Sequence, residues 1–330
     1  MAAYHAKLSA FGSSVPKKIV NNFDLEKIVD TTDEWIRTRT GMFERHHATA
    51  DEAASDFAHE AAVRAIESSQ VRYKDIDLII VATVTGDYPF PSTSCVIQRK
   101  LGLKGVPAFD VSAGCAGFVY AIHTAKSFVE SGAARNVLVL GVEMLTKITN
   151  WNDRGTCVLF GDGAGATIVS RANPGEISRI IDSIIEADGS QGDLLYQAAG
   201  GSRMPASHES VDKNLHTIYM EGNKIFKHAI KSMHASSDAL LKRNKMETAD
   251  VDWIVPHQAN LRIIEGLANR MKVPMNKVIV NIEKYGNTSS ATIPIAMDEA
   301  VRSKKIRRGD VVLLTSFGAG LTWGGVLARY

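Results

Sequence analysis

Two pairs of short apolar segments recur along the chain at nearly one spacing. Asp75-Ile-Asp-Leu-Ile-Ile-Val81 resembles Asp250-Val-Asp-Trp-Ile-Val-Pro256, and the offset is 250 − 75 = 175 residues. Asn136-Val-Leu-Val-Leu-Gly141 resembles Asp310-Val-Val-Leu-Leu-Thr315, and this offset is 310 − 136 = 174 residues. Runs rich in Val, Ile and Leu are typical of strands that are buried on both faces of a parallel sheet. The pattern predicts a duplicated α/β chain.

The duplication predicts two halves of similar fold, residues 1–173 and 174–330, which divide at Asn173-Pro174-Gly175. Each half needs a helical crossover between its parallel strands. In the first half the apolar residues recur at steps of four, three and four, and the pattern ends before Gly132. These residues are Phe118, Ile122, Ala125 and Val129. They predict the apolar stripe of a helix that has Gly132 as a left-handed cap residue.

Three further helices and one loop can be predicted. Thr31-Thr-Asp-Glu34 has the form of a capping box that opens a helix carrying Trp35. Ala53–Ile66 is rich in Ala, and Glu221–Arg243 is a long amphipathic segment, so both are predicted to be helices. Asp188–Lys213 is rich in Gly, Ser, Gln and Asp, which indicates a loop.

The composition is that of a globular protein. Of 330 residues 45% are hydrophobic and the formal net charge is +2, so the core is ample and broad attraction to nucleic acid is not expected. Residues 1–20 lack a signal-peptide apolar stretch, and no segment approaches a membrane span. Three cysteines without metal-site spacing suit neither a disulfide framework nor a metal centre. We expect a soluble cytoplasmic protein with no metal, no membrane segment and no nucleic-acid partner.

Cys115 is the strongest candidate for chemistry. It lies in Ser112-Ala-Gly-Cys-Ala-Gly-Phe118, just before the predicted helix, and a helix N-terminus lowers the pKa of a thiol. The flanking glycines allow another backbone to approach, and neighbouring N–H groups could hold an oxyanion. These features favour a nucleophile that carries an acyl group. Cys95 and Cys157 are followed by apolar residues, so we expect both to pack in the core.

His257 and Asn287 complete the candidate site. His257 directly follows a predicted buried strand, at the sheet edge where ligands gather in open α/β folds. Asn287 lies in Tyr285-Gly-Asn-Thr-Ser-Ser290, a polar turn. Adding the offset to Cys115 gives 115 + 174 = 289 or 115 + 175 = 290, two or three residues after Asn287. The duplication therefore predicts that two equivalent loops meet, one with the thiol and the other with the amide.

These three side chains can be arranged in two ways that the sequence leaves open. In one, His257 takes the proton of the thiol and the amide orients the ring, as in a protease-like triad. In the other, His257 and Asn287 both donate hydrogen bonds to one substrate carbonyl and stabilise the enolate that forms when carbon dioxide is lost. Both arrangements suit the formation of a carbon–carbon bond from thioesters.

Two glycine-rich segments have different interpretations. Phe160-Gly-Asp-Gly-Ala-Gly-Ala166 lacks the Gly-Lys-Ser/Thr ending of a phosphate-binding loop, so tight backbone packing is the favoured role. Phe317-Gly-Ala-Gly-Leu-Thr-Trp-Gly324 follows the last repeated strand, and its small residues could bring a backbone N–H to a reacting carbonyl.

Basic residues are concentrated in two places. Lys224, Lys227 and Lys231 form a stripe on one predicted helix, while Arg262, Arg270 and Lys272 follow the His257 segment. A stripe of this kind is usually a solvated face. Together the two groups would suit an acidic partner protein, because charge speeds the encounter of complementary surfaces.

With these residues in view, the chain closely resembles the β-ketoacyl-acyl-carrier-protein synthase III family, which initiates type II fatty acid synthesis. The similarity runs nearly from end to end and depends on a combination of motifs. They are Thr32-Asp-Glu-Trp-Ile-Arg-Thr-Arg-Thr-Gly41, Ala113-Gly-Cys-Ala-Gly-Phe118, Phe160-Gly-Asp-Gly-Ala-Gly-Ala166, His257-Gln-Ala-Asn-Leu-Arg262, Tyr285-Gly-Asn-Thr-Ser-Ser290 and Ser316-Phe-Gly-Ala-Gly-Leu-Thr-Trp-Gly324. The resemblance implies a thiolase-like fold of two pseudo-symmetric βαβ-rich halves in α-β-α-β-α layers, assembled as a homodimer.

The resemblance also implies a reaction. Cys115 attacks an acyl-CoA primer, acetyl-CoA or another short acyl-CoA, and holds the acyl group. Malonyl-acyl-carrier-protein then loses carbon dioxide, with His257 and Asn287 stabilising the enolate, and condenses to a β-ketoacyl-acyl-carrier-protein. The implied oxyanion donors are the backbone N–H groups of Cys115 and Ala319. Acyl-CoA is a substrate here, and no cofactor is implied.

Binding residues are implied by the same resemblance. The implied CoA contacts are Trp35, Arg39, Arg154, Gly222, Asn223, Ala259 and Asn260. Stacking on Trp35 and a charge-assisted contact to phosphate suit these residue types. Lys227 and Arg262 match positions that meet the acidic carrier protein, and Phe90 matches the residue that closes the acyl pocket of the partner subunit.

Two departures and several rival functions follow from the resemblance. The last glycine loop is Gly318-Ala-Gly320 where some relatives have three glycines, and one basic carrier position falls on Asn269. The main rival is a condensing enzyme or acyltransferase of secondary metabolism with the same fold. A hydroxymethylglutaryl-CoA synthase is less favoured, because its chemistry resembles one that needs a glutamate base near the cysteine. A non-catalytic thioester-binding paralogue is disfavoured by the presence of all three reactive side chains.

Overall fold

The structure is a computed structural model that describes residues 4–330, and it contains two main sheets and eleven α-helices within that range. The strands are β1 (Ala6–Ser14), β2 (Ile19–Asn21), β3 (Glu44–His46), β4 (Leu78–Ala82), β5 (Ala108–Val111), β6 (Asn136–Met144), β7 (Asp162–Arg171), β8 (Arg179–Ala187), β9 (Leu195–Gln197), β10 (Ile218–Met220), β11 (Trp253–Pro256), β12 (Val311–Gly318) and β13 (Thr322–Arg329). The helices are α1 (Asn22–Leu25), α2 (Asp33–Thr40), α3 (Ala54–Glu67), α4 (Thr93–Lys100), α5 (Gly117–Glu130), α6 (Arg154–Cys157), α7 (His208–Asp212), α8 (Gly222–Arg243), α9 (Leu261–Met271), α10 (Ile282–Tyr285) and α11 (Thr292–Arg302).

The two main sheets share one strand order. The first runs β1-β7-β6-β4-β5 and the second runs β8-β13-β12-β11. In each, the repeated apolar strands pair in parallel, β4 with β6 and β11 with β12. The remaining neighbours in the shared order are antiparallel. The predicted duplication is confirmed by this topology, whereas the division into halves at residue 173 stays a prediction.

Five layers result from packing both faces of each sheet. Helices α5 and α11 lie between the sheets, α3 and α4 cover the outer face of the first sheet, and α8 and α9 cover the second. Side chains of one strand alternate between layers: Ile80 faces α5, while Ile79 and Val81 face the outer layer of α3 and α4. Because both faces are covered, β4 and β6 are buried along their whole lengths. The layers are those of the thiolase-like fold.

Most predicted helices occur, with one small shift. The apolar stripe of Phe118 and Ile122 lies on α5, and Gly132 follows that helix with φ +85°. The segments Ala53–Ile66 and Glu221–Arg243 correspond to α3 and α8. The predicted capping box is one residue out of register, because Thr32 is the N-cap of α2 and its hydroxyl accepts the backbone N–H of Trp35 at 3.1 Å.

Two predictions from local composition are wrong. Cys95 is exposed in the chain, because it lies on the outward side of α4 while Val96 and Ile97 face the core. Cys157 is buried as predicted. The segment Asp188–Lys213 is not all loop, since it contains β9, which pairs with β10, and the short helix α7. Within residues 4–330, no helix is both long and apolar enough to cross a membrane.

Candidate active site

Folding brings Cys115, His257 and Asn287 onto the wall of one cavity of about 540 Å³. The cavity lies where the carboxyl ends of the parallel strands of both sheets meet, as sequence analysis predicts for ligand sites in α/β proteins. Its inner wall is apolar, as a site for an acyl chain requires. The apolar residues are Val84, Leu145, Ile148, Val158, Leu159, Phe160, Leu195, Ile218, Met220, Ile225, Phe226, Ala229, Met233, Ile263 and Phe317.

Cys115 lies in the 3₁₀ turn Gly114–Ala116, between β5 and the start of α5. Gly114 has φ +51°, in the left-handed region that favours glycine, and a Cβ added there would lie 2.8 Å from the backbone N of Ala319. A Cβ added to Gly318 would lie 2.4 Å from the backbone N of Cys115. Only glycine at both positions lets these two backbone segments touch, which brings the backbone nitrogens of Cys115 and Ala319 close together at the cavity.

The second half of the chain holds the loop that carries the thiol. The Ser316 hydroxyl donates to the carbonyl oxygen of Cys115 at 2.7 Å. The Thr322 hydroxyl lies 2.8 Å from the carbonyl oxygen of Ala113. Both donors belong to β12 and β13 of the second sheet. The position of the sulfur is therefore set by strands that come about 200 residues later in the chain.

Burial dominates the ionisation of the thiol. It raises the pKa of Cys115 to about 12, while a hydrogen bond from the Ser289 side chain lowers it and the charge of Glu143 raises it further. The sequence-based expectation of a lowered thiol pKa is therefore not met in the free site, because desolvation outweighs the favourable end of α5. The resting group is a thiol, and its proton must leave when the sulfur attacks.

His257 is fixed at both its backbone and its ring. Its N–H donates to the carbonyl of Thr315 at 2.9 Å, which continues the β11–β12 pairing past Pro256. Its Nδ1 lies 2.7 Å from the Thr292 hydroxyl, so Nε2 is the ring nitrogen left for a substrate. Burial lowers the pKa of His257 to about 3, and the imidazole is therefore neutral at pH 7.

The side-chain amide of Asn287 is oriented by its own turn. Its Oδ1 accepts the backbone N–H of Ser289 at 2.8 Å, which leaves the two N–H bonds of Nδ2 available to the cavity. Its backbone N–H donates to the carbonyl of Leu159 at 2.9 Å, and its carbonyl accepts from Gly161 at 3.1 Å. A Cβ at Gly161 would lie 2.5 Å from the carbonyl of Tyr285, which confirms the predicted close-packing role of the Phe160–Ala166 segment.

Polar and basic residues surround the cavity mouth. Trp35, Arg39, Gly222, Asn223, Ala259, Asn260 and Arg262 line it. The guanidinium of Arg154 lies 4.8 Å from the ring centroid of Trp35 and donates to the carbonyl of Asp30 at 2.9 Å. Asn260 donates its side-chain amide to the carbonyl of Arg39 at 3.1 Å, which joins the start of α9 to the end of α2. A planar indole beside two guanidinium groups suits an aromatic base and its phosphates.

Three predicted contacts lie away from the cavity wall: Arg154, which reaches it only through Trp35, Lys227 and Phe90. Lys227 is exposed on α8, one helical turn after Asn223. Phe90 does not line the cavity of its own chain, and it is 85% exposed beside the exposed Tyr88.

Comparison with known proteins identifies the family. Residues 109–189 match the family model described as 3-oxoacyl-[acyl-carrier-protein] synthase III, and residues 241–330 match the model of its C-terminal part. The β-ketoacyl-[acyl-carrier-protein] synthase III of Caldanaerobacter subterraneus subsp. tengcongensis is 53% identical over 319 residues, which are 97% of this chain and 96% of that relative. The chain belongs to the β-ketoacyl-[acyl-carrier-protein] synthase III family.

Solved structures agree with membership of the synthase III family. The 3-oxoacyl-[acyl-carrier-protein] synthase III of Aquifex aeolicus VF5 is 46% identical, with a TM-score of 0.91 over 98% of this chain and 100% of that chain. The priming β-ketosynthase of the R1128 polyketide biosynthetic pathway is 34% identical, with a TM-score of 0.90 over 98% of this chain and 96% of that chain. The thiolase-like fold predicted from the sequence is therefore confirmed.

Sequence reasoning missed three polar residues of this synthase III site: Glu143, Ser289 and Thr292. Glu143 is a buried acidic residue in β6, a strand without other charged residues, and that break in the pattern was a readable signal. It also means that a glutamate does lie near the cysteine. Glu143 does not line the cavity, whereas the rival hydroxymethylglutaryl-CoA chemistry would need a glutamate base that reaches the substrate carbon.

Proposed function

We propose that this protein catalyses the decarboxylating Claisen condensation of an acyl-CoA primer with malonyl-acyl-carrier-protein. The products are a β-ketoacyl-acyl-carrier-protein, CoA and carbon dioxide, and the reaction initiates type II fatty acid synthesis. The observation that carries the proposal is the meeting of Cys115, His257 and Asn287 on one cavity with an apolar inner wall and a basic, aromatic mouth.

In the first step the sulfur of Cys115 attacks the thioester carbon of the primer. Negative charge moves onto the carbonyl oxygen, which the adjacent backbone N–H groups of Cys115 and Ala319 stabilise. The mouth residues Trp35, Arg39 and Arg154 hold the nucleotide end of CoA, while Gly222, Asn223, Ala259 and Asn260 border the path of its pantetheine arm. The acyl group stays on the sulfur and CoA leaves.

In the second step the malonyl group occupies the cavity with its thioester oxygen between His257 and Asn287. Loss of carbon dioxide turns the thioester into an enolate, and two neutral donors, Nε2–H and Nδ2–H, stabilise the oxygen as it becomes negative. The Thr292 hydroxyl lies 3.0 Å from the carbonyl oxygen of Ser289 and 2.7 Å from Nδ1 of His257. Donation from Nε2 requires this hydroxyl to turn its hydrogen from the Ser289 carbonyl to Nδ1. The enolate carbon then attacks the acyl carbon on Cys115, the bond from that carbon to sulfur breaks, and the sulfur leaves as a thiolate that takes up a proton. Of the two arrangements left open by the sequence, the burial of a neutral imidazole favours this one.

The proposal includes two protein partners. An acidic carrier protein meets the exposed Lys227 and Arg262 beside the cavity mouth, and charge speeds their encounter. A second copy of the chain covers Phe90 and receives it at its acyl pocket, so that the protein is a homodimer. A cytoplasmic location is proposed because the three cysteines are free thiols. No cofactor beyond the two thioesters is called for.

The test is transfer of a radiolabelled acetyl group from acetyl-CoA to the protein, followed by condensation with malonyl-acyl-carrier-protein and product identification by mass spectrometry. Cys115→Ser should abolish labelling, whereas Asn287→Ala should leave labelling intact and slow carbon dioxide release. Persistent labelling of the Cys115→Ser protein would place the nucleophile elsewhere and overturn the proposal.

A second candidate function is priming of a polyketide pathway by the same reaction. It is favoured by the likeness to the R1128 priming β-ketosynthase, which nearly equals the Aquifex aeolicus enzyme in TM-score. A panel of acyl-CoA primers, each paired with carrier proteins of fatty acid and polyketide synthesis, separates the two functions by the ratio of kcat/KM values.

A further inference from the structure

Glu143 is a buried carboxylate that joins the two halves behind the active site. It is 0% exposed. Its Oε2 accepts from the Thr85 hydroxyl at 2.6 Å and from the backbone N–H of Val84 at 3.1 Å. Its Oε1 lies 3.2 Å from the Ser289 hydroxyl and 3.0 Å from that of Ser290. A carboxylate without a cationic partner is costly to bury, so a fold that keeps one invites a functional reason.

Ser289 connects this carboxylate to the nucleophile. It lines the same cavity as Cys115, the two turns that carry these residues pack against each other, and the Ser289 side chain lies near enough to the thiol to lower its pKa. The same hydroxyl faces Oε1 of Glu143. The neighbouring Ser290 contacts Oε1 as well, but its hydroxyl also faces the carbonyl oxygen of Ala82 and it does not line the cavity. The Ser289 hydroxyl therefore lies between the Cys115 thiol and the Glu143 carboxylate, whereas the Ser290 hydroxyl contacts the carboxylate without lining the cavity.

The thiol proton has few places to go. His257 is a weak acceptor, because burial lowers its pKa to about 3. Release of the proton to water would leave two buried negative charges, one on sulfur and one on Glu143. Burial raises the pKa of Glu143 to about 7, with neutral hydroxyls and one backbone N–H as its remaining partners, so this carboxylate gains a proton readily. Transfer of the proton from the Cys115 thiol to Glu143 keeps only one negative charge on these two groups at every stage.

We propose that Glu143 is a positioning residue that accepts the proton of Cys115 through the Ser289 hydroxyl while the sulfur attacks the primer. The S–H bond breaks and its hydrogen goes to Ser289 Oγ, while the hydrogen of that hydroxyl goes to Oε1 of Glu143. The sulfur lone pair forms the new bond to the thioester carbon. When CoA departs as a thiolate, the proton returns by the same hydroxyl to the CoA sulfur, and Glu143 is again a carboxylate. This inference rests on the proposed acyl transfer.

The groups that face Glu143 make its pH response simple to interpret. The groups are Thr83, Val84 and Thr85, which directly follow β4, and Ser289 and Ser290 from the second half, and all of them are neutral. The charge of Glu143 raises the pKa of one titratable neighbour, the Cys115 thiol. The carboxylate form is the acceptor, so acylation should become faster as pH rises through the pKa of Glu143.

The experiment compares E143Q, S289A and the matched control S290A. Two readouts are taken across pH: single-turnover release of CoA from acetyl-CoA, and alkylation of Cys115 by iodoacetamide, followed on the Cys115 peptide because Cys95 is exposed. In the unmodified protein the rate of CoA release and the rate of alkylation should both increase with pH. Each should show an inflection near pH 7, because burial raises the pKa of Glu143 to about 7. E143Q and S289A should lose the inflection and slow by about 100-fold or more at neutral pH. S290A should keep the inflection but move it to higher pH, because loss of the Ser290 hydrogen bond raises the pKa of Glu143, and above that inflection it should react as fast as the unmodified protein.

A purely structural or electrostatic role gives a different result. Removing the charge of Glu143 lowers the thiol pKa, so without proton transfer E143Q would be alkylated faster than the unmodified protein. Faster alkylation of E143Q, or an inflection that survives in S289A, overturns the inference. If E143Q does not fold, the comparison of S289A with S290A still tests the inference. If acetyl-CoA fails to acylate the unmodified protein, the proposed function fails, and the alkylation profile still tests the role of Glu143.

Discussion

Gly318 is where a single methyl group tests the oxyanion geometry most directly. In Gly318→Ala the new Cβ would lie 2.4 Å from the backbone N of Cys115 and 2.9 Å from that of Ala116. Ordinary contact begins at 3.4 Å, so the two segments must separate by 3.4 − 2.4 = 1.0 Å. A displacement of about 1 Å at a reacting group costs about 10²-fold in rate. Loss of one oxyanion donor costs about 10²–10³-fold, or about 2.7–4 kcal/mol.

We therefore expect Gly318→Ala to lower the rate of acetyl transfer by about 10²–10³-fold, measured as single-turnover CoA release. Overpacking should also lower the free energy of unfolding by about 1–3 kcal/mol. Gly189→Ala is the control, because nothing lies within 4 Å of a Cβ added there. A Gly318→Ala protein that is acylated about as fast as Gly189→Ala would refute the role of the adjacent N–H groups.

Three other predictions concern the second step and the carrier protein. Thr292→Val removes the group that sets which nitrogen of His257 carries the proton. It should slow carbon dioxide release from malonyl-acyl-carrier-protein by about 10-fold or more and leave the rate of acylation unchanged. An equal loss of rate in both steps would contradict this prediction. Because burial lowers the pKa of His257 to about 3, the ring stays neutral above that value, and condensation by acylated protein should be flat from about pH 5 to about pH 8. A fall in rate below pH 6.5 would show a titrating imidazole. Lys227→Glu should raise the KM for the carrier protein more than that for acyl-CoA, whereas Lys242→Glu, at the far end of the same helix, should change neither.

The sequence predicts what depends on spacing and misses what depends on distant partners. The repeat of apolar strands gives the two sheets, because buried parallel strands are uniformly apolar and so can be recognised locally. Cys95 is misassigned because neighbouring residues on a helix point in different directions, and apolar neighbours do not make a residue buried. Glu143 cannot be interpreted alone, since Ser289 and Ser290 lie 146 and 147 residues away in the chain.

The candidate site shows the same division. Cys115, His257 and Asn287 stand out by residue type and by their places after strands or in a turn, and the structure places all three on one wall. The apolar lining comes from many elements at once, including β9 in a segment that looks like loop, so primer size is not readable from the chain. The raised pKa of the Cys115 thiol follows from burial, which only the folded molecule reveals.

The two turns that meet at the active site occupy equivalent places in the repeat, yet they differ in content. One contains Cys115, and the other contains Ser289 and Ser290 and follows Asn287. Two identical polypeptides associating through this contact would present the same chemistry twice. Joining both copies in one gene frees each turn to mutate independently, so that one keeps a nucleophile and the other becomes its acid–base and hydrogen-bonding complement. A repeat within one chain can therefore hold an asymmetric reaction centre on a symmetric scaffold.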